Sequence, residues 1–371
     1  MRIEINQQDL MAHIQIAQRA ISNRTTLQIL NGMYFQARDN YLRIISTDLE
    51  LFIETKVPCF VKEEGEVVIN STLISNIVRK LPQEVIAIES DQQQINIQCQ
   101  QSKFNLIGQD VTEYPLLPNV EEGEKITLHS SLLKEGTRQT VFAASEDQSR
   151  PYLTGVLLRG KEDSLHMVAL DGFRVAFKRI ETEEAPQEKI IIPARALVEL
   201  EKILDDDQGV DLFITDNHIL FDLGDTRVYS RLIEGNFINY EDIITDEYDT
   251  LCHVDKKQLQ LSLERASLLA RQDKANLVKL FISDHAINIQ SNSEIGSVDE
   301  TVPCEKEGED LVIAFNAKYL LDGLKVIHEG EVEIRMRRSV DPAVMRSVDR
   351  RDFTYLVLPV RLAGEIDGYR D

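Results

Sequence analysis

The chain has 371 residues and a formal net charge of −22, from 63 Asp and Glu against 41 Lys and Arg; it is too long for one ordinary core, so two or three domains are expected. With 43% hydrophobic and 28% charged residues it is not a disordered chain, and its acid excess is the reverse of the basic balance usual in nucleic-acid-binding domains. Cys59, Cys99, Cys252 and Cys304 are scattered without a CxxC pair, no apolar run approaches a membrane span, and MRIEIN alternates like a strand rather than a signal peptide. These features point to a reduced, cytoplasmic protein with no disulfide framework or zinc site.

In chain order, MRIEI reads as a strand, and NQQDLMAHIQIAQRAIS as a helix with Leu10, Ile14, Ala17 and Ile21 on one face. VVINSTLISNIVRKLP gives a second strand and helix, and VIAIESDQQQINIQC alternates around a polar turn as a hairpin does. The same sequence of elements then returns. KITLH precedes SSLLKEGTRQTVFAAS, with Ser130 or Ser131 as the expected N-cap. IIIPARALVELEKIL follows, then the hairpin DLFITDNHILFDL. A third round begins with TLCHV and DKKQLQLSLERASLLAR, capped by Asp255, and continues with VIAFNAKYLLDGLKVI. The first helix of each round starts near 7, 130 and 255, and the second near 71, 194 and 316, so both markers step by 122 to 125 residues. Two markers with one period predict three repeated α+β domains, each of two helices and antiparallel strands. The expected domains are 1–122, 123–248 and 249–371. The joints EEGEK and TDEYD are acidic and lack Gly/Ser tracts, so neighbouring domains should abut.

Charge is segregated by element. Over segments 7–22, 71–81, 130–144, 194–204, 255–271 and 316–327, thirteen basic residues stand against seven acidic ones, leaving −28 on the rest of the chain. Lys and Arg are good helix formers, but Glu is equally good and is under-used here. A positive helical surface on a negative exterior would meet phosphates without reading bases. The candidates on these helices include Arg79, Lys80, Lys134, Arg138, Arg195, Lys202, Lys256, Lys257 and Arg265. No phosphate loop, HExxH or GxSxG occurs, and the seven His residues are dispersed. Asp171 beside Arg174 in ALDGFRVAF could suggest a catalytic acid, but Asp-Gly between apolar strands is a turn. TDLE at 47–50 holds the equivalent place. No catalytic residue, metal site or cofactor is expected.

The three helix-pair repeats, STDLEL at 46–51, ALDGFRVAF at 169–177, LIEGNF at 232–237 and YLVLPVRL at 355–362 resemble the bacterial DNA polymerase III β sliding-clamp family over residues 1–362. The resemblance implies a DNA clamp fold forming a head-to-tail homodimeric ring of six domains around duplex DNA, with the helices lining the hole. It implies a non-catalytic processivity factor that holds double-stranded DNA without sequence preference. A helix of about 16 residues, roughly 24 Å long, would cross the phosphates without entering a groove. Arg24 and Arg150 become DNA-facing loop positions, while Lys103, Phe104, Leu106, Leu268 and Leu269 become dimer contacts. Polymerase and clamp loader would dock short linear peptides in a cleft formed by Leu153, Leu170, Gly172, Phe173, Arg174, Val175, Ile243, Tyr319, Pro342, Leu356, Leu358, Pro359, Val360 and Arg361.

This chain departs from the family at Leu170 and Phe173, where Thr and His are frequent, at Ile238, where Pro is frequent, and at Asp242, where a basic residue often occurs. It also continues as AGEIDGYRD, residues 363–371, with a net charge of −2; such a tail beginning beside the cleft could shield it, and a frayed terminus is the plainer alternative. A divergent clamp paralogue for repair, mobile-element or drug-resistance roles, and an acidic scaffold that never encloses DNA, are the rival readings.

Overall fold

Four short polar side chains set helix starts. Asn6, Asn70, Asp255 and Asn316 each accept a backbone N–H of the following helix, from Gln8, Leu73, Gln258 and Lys318, at 2.8–2.9 Å. The structure, a computed structural model, describes residues 1–22, 25–120, 122–182, 184–244, 246–272, 275–328 and 330–361. Arg24 and the tail 363–371 therefore lie outside the described residues.

The first round of elements is β1 (Arg2–Asn6), α1 (Gln7–Ala17), β2 (Gly32–Arg38), β3 (Tyr41–Thr47), β4 (Leu51–Pro58), β5 (Phe60–Glu63), β6 (Gly65–Asn70), α2 (Ser71–Lys80), β7 (Val85–Asp91), β8 (Gln94–Cys99) and β9 (Ser102–Ile107). The second is β10 (Glu124–His129), α3 (Ser130–Thr140), β11 (Gly155–Lys161), β12 (Ser164–Leu170), β13 (Arg174–Glu181), β14 (Ile190–Pro193), α4 (Ala194–Glu201), β15 (Gly209–Ile214), β16 (His218–Asp222) and β17 (Thr226–Arg231). The third is β18 (Thr250–Asp255), α5 (Lys256–Ala270), β19 (Leu277–Ser283), β20 (Ala286–Ser293), β21 (Gly296–Gly308), β22 (Leu311–Asn316), α6 (Ala317–Val326), β23 (Glu331–Met336), β24 (Ala343–Ser347) and β25 (Phe353–Val357). The order strand–helix–strands–strand–helix–strands thus recurs three times, with six helices starting within a residue or so of the expected places.

Two details differ from the sequence reading. Neither serine caps α3: Ser130 is its first residue and its hydroxyl accepts the Gln208 N–H at 3.1 Å, while His129 Nδ1 lies 3.4 Å from the Ser131 N–H. Both α1 and α3 are 11 residues long and tighten into 3₁₀ turns, at Gln18–Ala20 and Val141–Ala143. In α3 the Thr140 hydroxyl donates back to the Gly136 carbonyl at 2.7 Å, which competes with continuing the helix. The 15 residues of α5 come within two of the expected span 255–271.

Contacts divide the chain into two compact units. The first comprises residues 1–134 and 195–233. It holds a five-stranded sheet, β5-β1-β7-β8-β9, and an eight-stranded sheet, β10-β15-β16-β17-β4-β3-β2-β6. Ile3, Leu10, Ile14, Phe35, Ile74, Val78 and Ile97 are buried together under α1 and α2, at roughly 1.5–3 kcal/mol for each large apolar side chain. The second unit comprises residues 135–194 and 234–371. It holds a twelve-stranded sheet, β14-β11-β12-β13-β25-β24-β23-β18-β21-β20-β19-β22. Leu259, Leu263, Ala266 and Ala270 form the buried stripe of its helix α5.

Each unit contains one place where the repeats share a sheet. In the first, β17 pairs antiparallel with β4, Thr226 facing Thr55 and Ser230 facing Leu51. In the second, β25 pairs with β13, Phe353 facing Lys178 and Val357 facing Arg174. No helix among the described residues is long and apolar enough to cross a membrane.

Candidate peptide cleft and nucleic-acid surface

The turn between β12 and β13 is built by Asp171. Its Oδ1 accepts the N–H groups of Phe173 at 2.8 Å and Arg174 at 3.1 Å, and Gly172 takes φ +95°. The expected Asp-Gly turn is therefore present, and the same Asp171 carboxylate also holds the Arg174 Nε at 2.9 Å. Arg174 is only 6% exposed. Its Nη1 donates to Asp322 at 2.8 Å and its Nη2 to the Phe142 carbonyl at 2.9 Å. The guanidinium lies 4.6 Å from the Tyr319 ring centre and 5.5 Å from that of Phe142. Burial opposes its charge, but Tyr355, Asp322 and Asp171 outweigh that and raise its pKa. Burial likewise pushes Asp322 up, but hydrogen bonds from Arg174 and Lys318 hold its carboxyl below the usual range.

Around this fixed cation the β13–β25 pairing assembles an apolar step. Val175 faces Leu356, and the Leu358 N–H donates to the Phe173 carbonyl at 2.8 Å. Phe173 stacks on Tyr319 with ring centres 6.2 Å apart. Leu153, Leu170, Val175 and Leu356 are buried, whereas Phe173 is 57% and Leu358 37% exposed. Val360 is fixed by its N–H to the Ala314 carbonyl at 2.8 Å, with Pro359 before it and exposed Arg361 after it. Pro342 immediately precedes β24, which pairs with β25; Leu153 and Ile243 sit on separate connecting segments. Val175 thus lies between Leu170 and Leu356 in the sheet, with the exposed Phe173 and Leu358 and the buried Arg174 beside it.

Five of the basic candidates are tied to acids. Lys134 Nζ reaches Asp206 at 2.5 Å and the Leu204 carbonyl at 3.2 Å. Arg195 pairs with Asp48, Lys202 with Glu199 at 2.9 Å, and Arg150 with Asp147 at 3.5 Å. Arg265 grips Glu300 through two bonds of 2.7 and 2.6 Å. Arg79, Lys80, Arg138 and Lys257 are exposed, while Lys256, the first residue of α5, is 4% exposed. Arg150 and Asp147 are both about half exposed, and such an exposed pair is worth about 0–1 kcal/mol, whereas in the other four pairs one partner is largely covered. Among the described residues no cluster of three His, Cys, Asp or Glu could hold a metal.

Sequence profiles of the DNA polymerase III beta subunit match throughout: its N-terminal domain at residues 1–118, its central domain at 127–239 and its C-terminal domain at 241–361. This chain belongs to the DNA polymerase III beta subunit family. The beta sliding clamp of Bacillus subtilis (strain 168) is 35% identical over 376 residues, covering 97% of this chain and all of that one. The beta sliding clamp of Staphylococcus aureus (strain Mu50) is 35% identical over 356 residues, covering 92% and 94%. The crystal structure of the Bacillus subtilis DNA polymerase sliding clamp superposes with a TM-score of 0.94 at 35% identity, covering 98% of this chain and 99% of that one.

The three beta-subunit domains of the family carry the threefold repeat. Of the expected dimer contacts, Lys103, Phe104 and Leu106 lie on β9, an edge strand, with Lys103 exposed and the other two half-buried against the first unit's core. Leu268 is 64% exposed near the end of α5, and Leu269 is half-buried beside it. Sequence reasoning missed Asp171, Phe142 and Asp322 as the partners that fix Arg174. In the sequence Asp322 is one more acid on a helix, and nothing in its spacing points to a residue 148 positions away.

Proposed function

We propose that this chain is a DNA sliding clamp, a non-catalytic processivity factor that encircles duplex DNA as a head-to-tail dimer and tethers a polymerase to its template. The reading rests most on one observation: all three beta-subunit domains are present in family order across residues 1–361. Repetition supports closure, because a chain of three like domains with complementary ends closes when two copies meet head to tail. In this reading the domains divide as 1–122, 123–248 and 249–371, and the protein works in the cytoplasm. The helix cations, with Arg24 and Arg150, touch phosphates only. Contacts to phosphates alone, without base readout, hold DNA loosely, so the ring slides and topology keeps it on. The β12–β13 turn and the end of β25 receive linear peptides of polymerase and clamp loader.

Loading onto a nicked circular duplex, with a matching clamp loader and ATP, tests the ring. The protein should stay on the circle after a jump to high salt and leave when the circle is cut. Equal loss from circular and linear DNA would reduce it to an electrostatic binder. The cleft has its own test. Phe173→Ser or Leu358→Ser should weaken a fluorescent peptide with aromatic and leucine anchors at least about tenfold, leaving salt-resistant retention on DNA unchanged. Unchanged peptide affinity in both variants would move the docking site elsewhere.

A further inference from the structure

In the first round the segment after β9 is pinned to a strand and then covers a sheet. The Gln109 N–H donates to the Val68 carbonyl of β6, two residues before the cap Asn70, at 2.9 Å. Tyr114, seven residues past the end of β9, is buried on β2 and β3. Its hydroxyl lies 3.3 Å from the Gly32 carbonyl and 3.1 Å from that of Ile45, and its ring stacks on Tyr34 with centres 5.6 Å apart. The second round does the same with Tyr240, nine residues past the end of β17. Tyr240 is buried, its hydroxyl lies 2.8 Å from His166 Nδ1 on β12, and its ring stacks on Phe177 at 5.8 Å. The two covered faces correspond rung by rung. Tyr34 stands between Val68 and Ile45, and Leu157 between Ile191 and Val168. Val68, Ile45, Leu157, Ile191 and Val168 are all 5% exposed or less.

The third round has the same pin but an open face. The Val360 N–H donates to the Ala314 carbonyl, again two residues before a cap, Asn316, at 2.8 Å. The corresponding rung is Ala314, Lys279 and Gln290. Lys279 and Gln290 are only half-buried, as are Leu277 and Phe281, and with Asn292 they line a groove of about 250 Å³. Val312, which faces Phe281, is 38% exposed. Asp299, next to Gln290 in the sheet, is held by the amides of Asn288 and Gln290. Lys279 has no ion-pair or hydrogen-bond partner for its ammonium among the described residues.

We infer that this groove seats the chain's own last residues, 362–371, which lie over β22, β19 and β20 as the Tyr114 and Tyr240 segments lie over their sheets. Ile366 stands nine residues past the end of β25, the spacing of Tyr240 from β17, and Tyr369 follows three later. The length suffices. Neighbouring strands lie about 4.8 Å apart, so β20 is about 10 Å from β22, and ten extended residues span on the order of 33 Å. Charge agrees as well, since AGEIDGYRD carries a net −2 and the groove offers Lys279. Ile366 and Tyr369 take Phe281 and Val312 out of water, the part Tyr114 plays for Ile45 and Val68. On this path the tail turns onto β22 at Ala314 and leaves Phe173 and Leu358 uncovered. The seat belongs to a single chain and does not depend on the ring.

Thiol labelling of the full chain tests the seat. A Cys59→Ser background leaves Cys99, Cys252 and Cys304, all buried. In it Gln290→Cys reports the groove, Asn292→Cys its edge, and Phe173→Cys the peptide cleft. Deleting residues 362–371 should speed maleimide labelling of both groove thiols about tenfold or more, because labelling follows the fraction of time a site is uncovered, and should leave Phe173→Cys unchanged. Lys279→Glu, and Ile366→Ser with Tyr369→Ser, should each speed labelling of the groove with the tail still attached. Equal rates at both groove thiols with and without the tail overturn the seat. Faster labelling of Phe173→Cys on deletion also overturns it, by placing the tail over the cleft. Groove protection that survives the deletion and grows with protein concentration overturns it in favour of a second copy.

Discussion

Arg174→Ala is expected to lower the melting temperature on the order of 10 °C and to abolish peptide capture. The guanidinium is 6% exposed and satisfies two carboxylates and a backbone carbonyl at once. Removing it leaves Asp171 and Asp322 poorly solvated and repelling each other; breaking such a buried pair costs about 3–5 kcal/mol. It also removes the cation between the Phe142 and Tyr319 rings, so the wall on which Phe173 stacks loses its support. Arg174→Lys should rescue little, because one ammonium cannot span Asp171, Asp322 and the Phe142 carbonyl in three directions. Arg174→Ala with Asp171→Asn should melt higher than Arg174→Ala alone, since one of the stranded charges is gone. Thermal unfolding checks all three. A single alanine variant that melts with the parent would mean the network contributes shape without stability.

Local chemistry was legible in the sequence and partners at a distance were not. Asp255 reads as a cap and is one, because capping involves residues three apart. The Asp-Gly turn at 171–172 is legible for the same reason. The repeat was legible because each round must bury the same helical stripe, and Leu10, Ile14 and Ala17 are indeed buried. Strand alternation gives a face but names no partner, so the pairing of β17 with β4 and of β25 with β13 stayed hidden. Helix ends were overestimated where a 3₁₀ turn carried the apolar stripe past the last α-helical residue, as at Ala20. Charge counting located the basic helices but could not see that Lys256 is buried or that Arg265 is held by Glu300 from β21. Phe173 and Leu358 were named from resemblance; nothing local in either segment reveals the hydrogen bond that joins them across 185 residues, Leu358 N–H to Phe173 O.

Lys178 is the residue the sequence hid most completely. Within the strand RVAFKRIE it is a charged residue that is only 1% exposed. Its Nζ donates to Glu135 at 3.0 Å and to Asp352 at 2.6 Å. Glu135 also takes His328 Nε2 at 2.9 Å and Arg350 at 3.1 Å, and Arg350 returns to Asp352 at 2.6 Å. The cluster therefore ties α3, β13 and the approach to β25 together within one unit. Lys178→Met keeps most of the volume and removes the charge, so packing loss is small and the expected destabilisation, about 2–4 kcal/mol at pH 7, is electrostatic. Burial pushes both carboxyls up, but the hydrogen bond and charge of Lys178, with Arg350, outweigh it and hold Glu135 and Asp352 below the ordinary range. A depressed folded pKa contributes stability above the unfolded value near 4, and that stability is lost as pH falls through the folded value. In Lys178→Met the carboxyls lose their chief partner, their folded pKa values rise, and acid costs the variant less. The stability gap between parent and variant should accordingly be widest at neutral pH and shrink below about pH 4. Urea unfolding at pH 7, 5 and 3.5 measures it; a gap constant across that range would assign the loss to packing and leave the ion cluster without net effect.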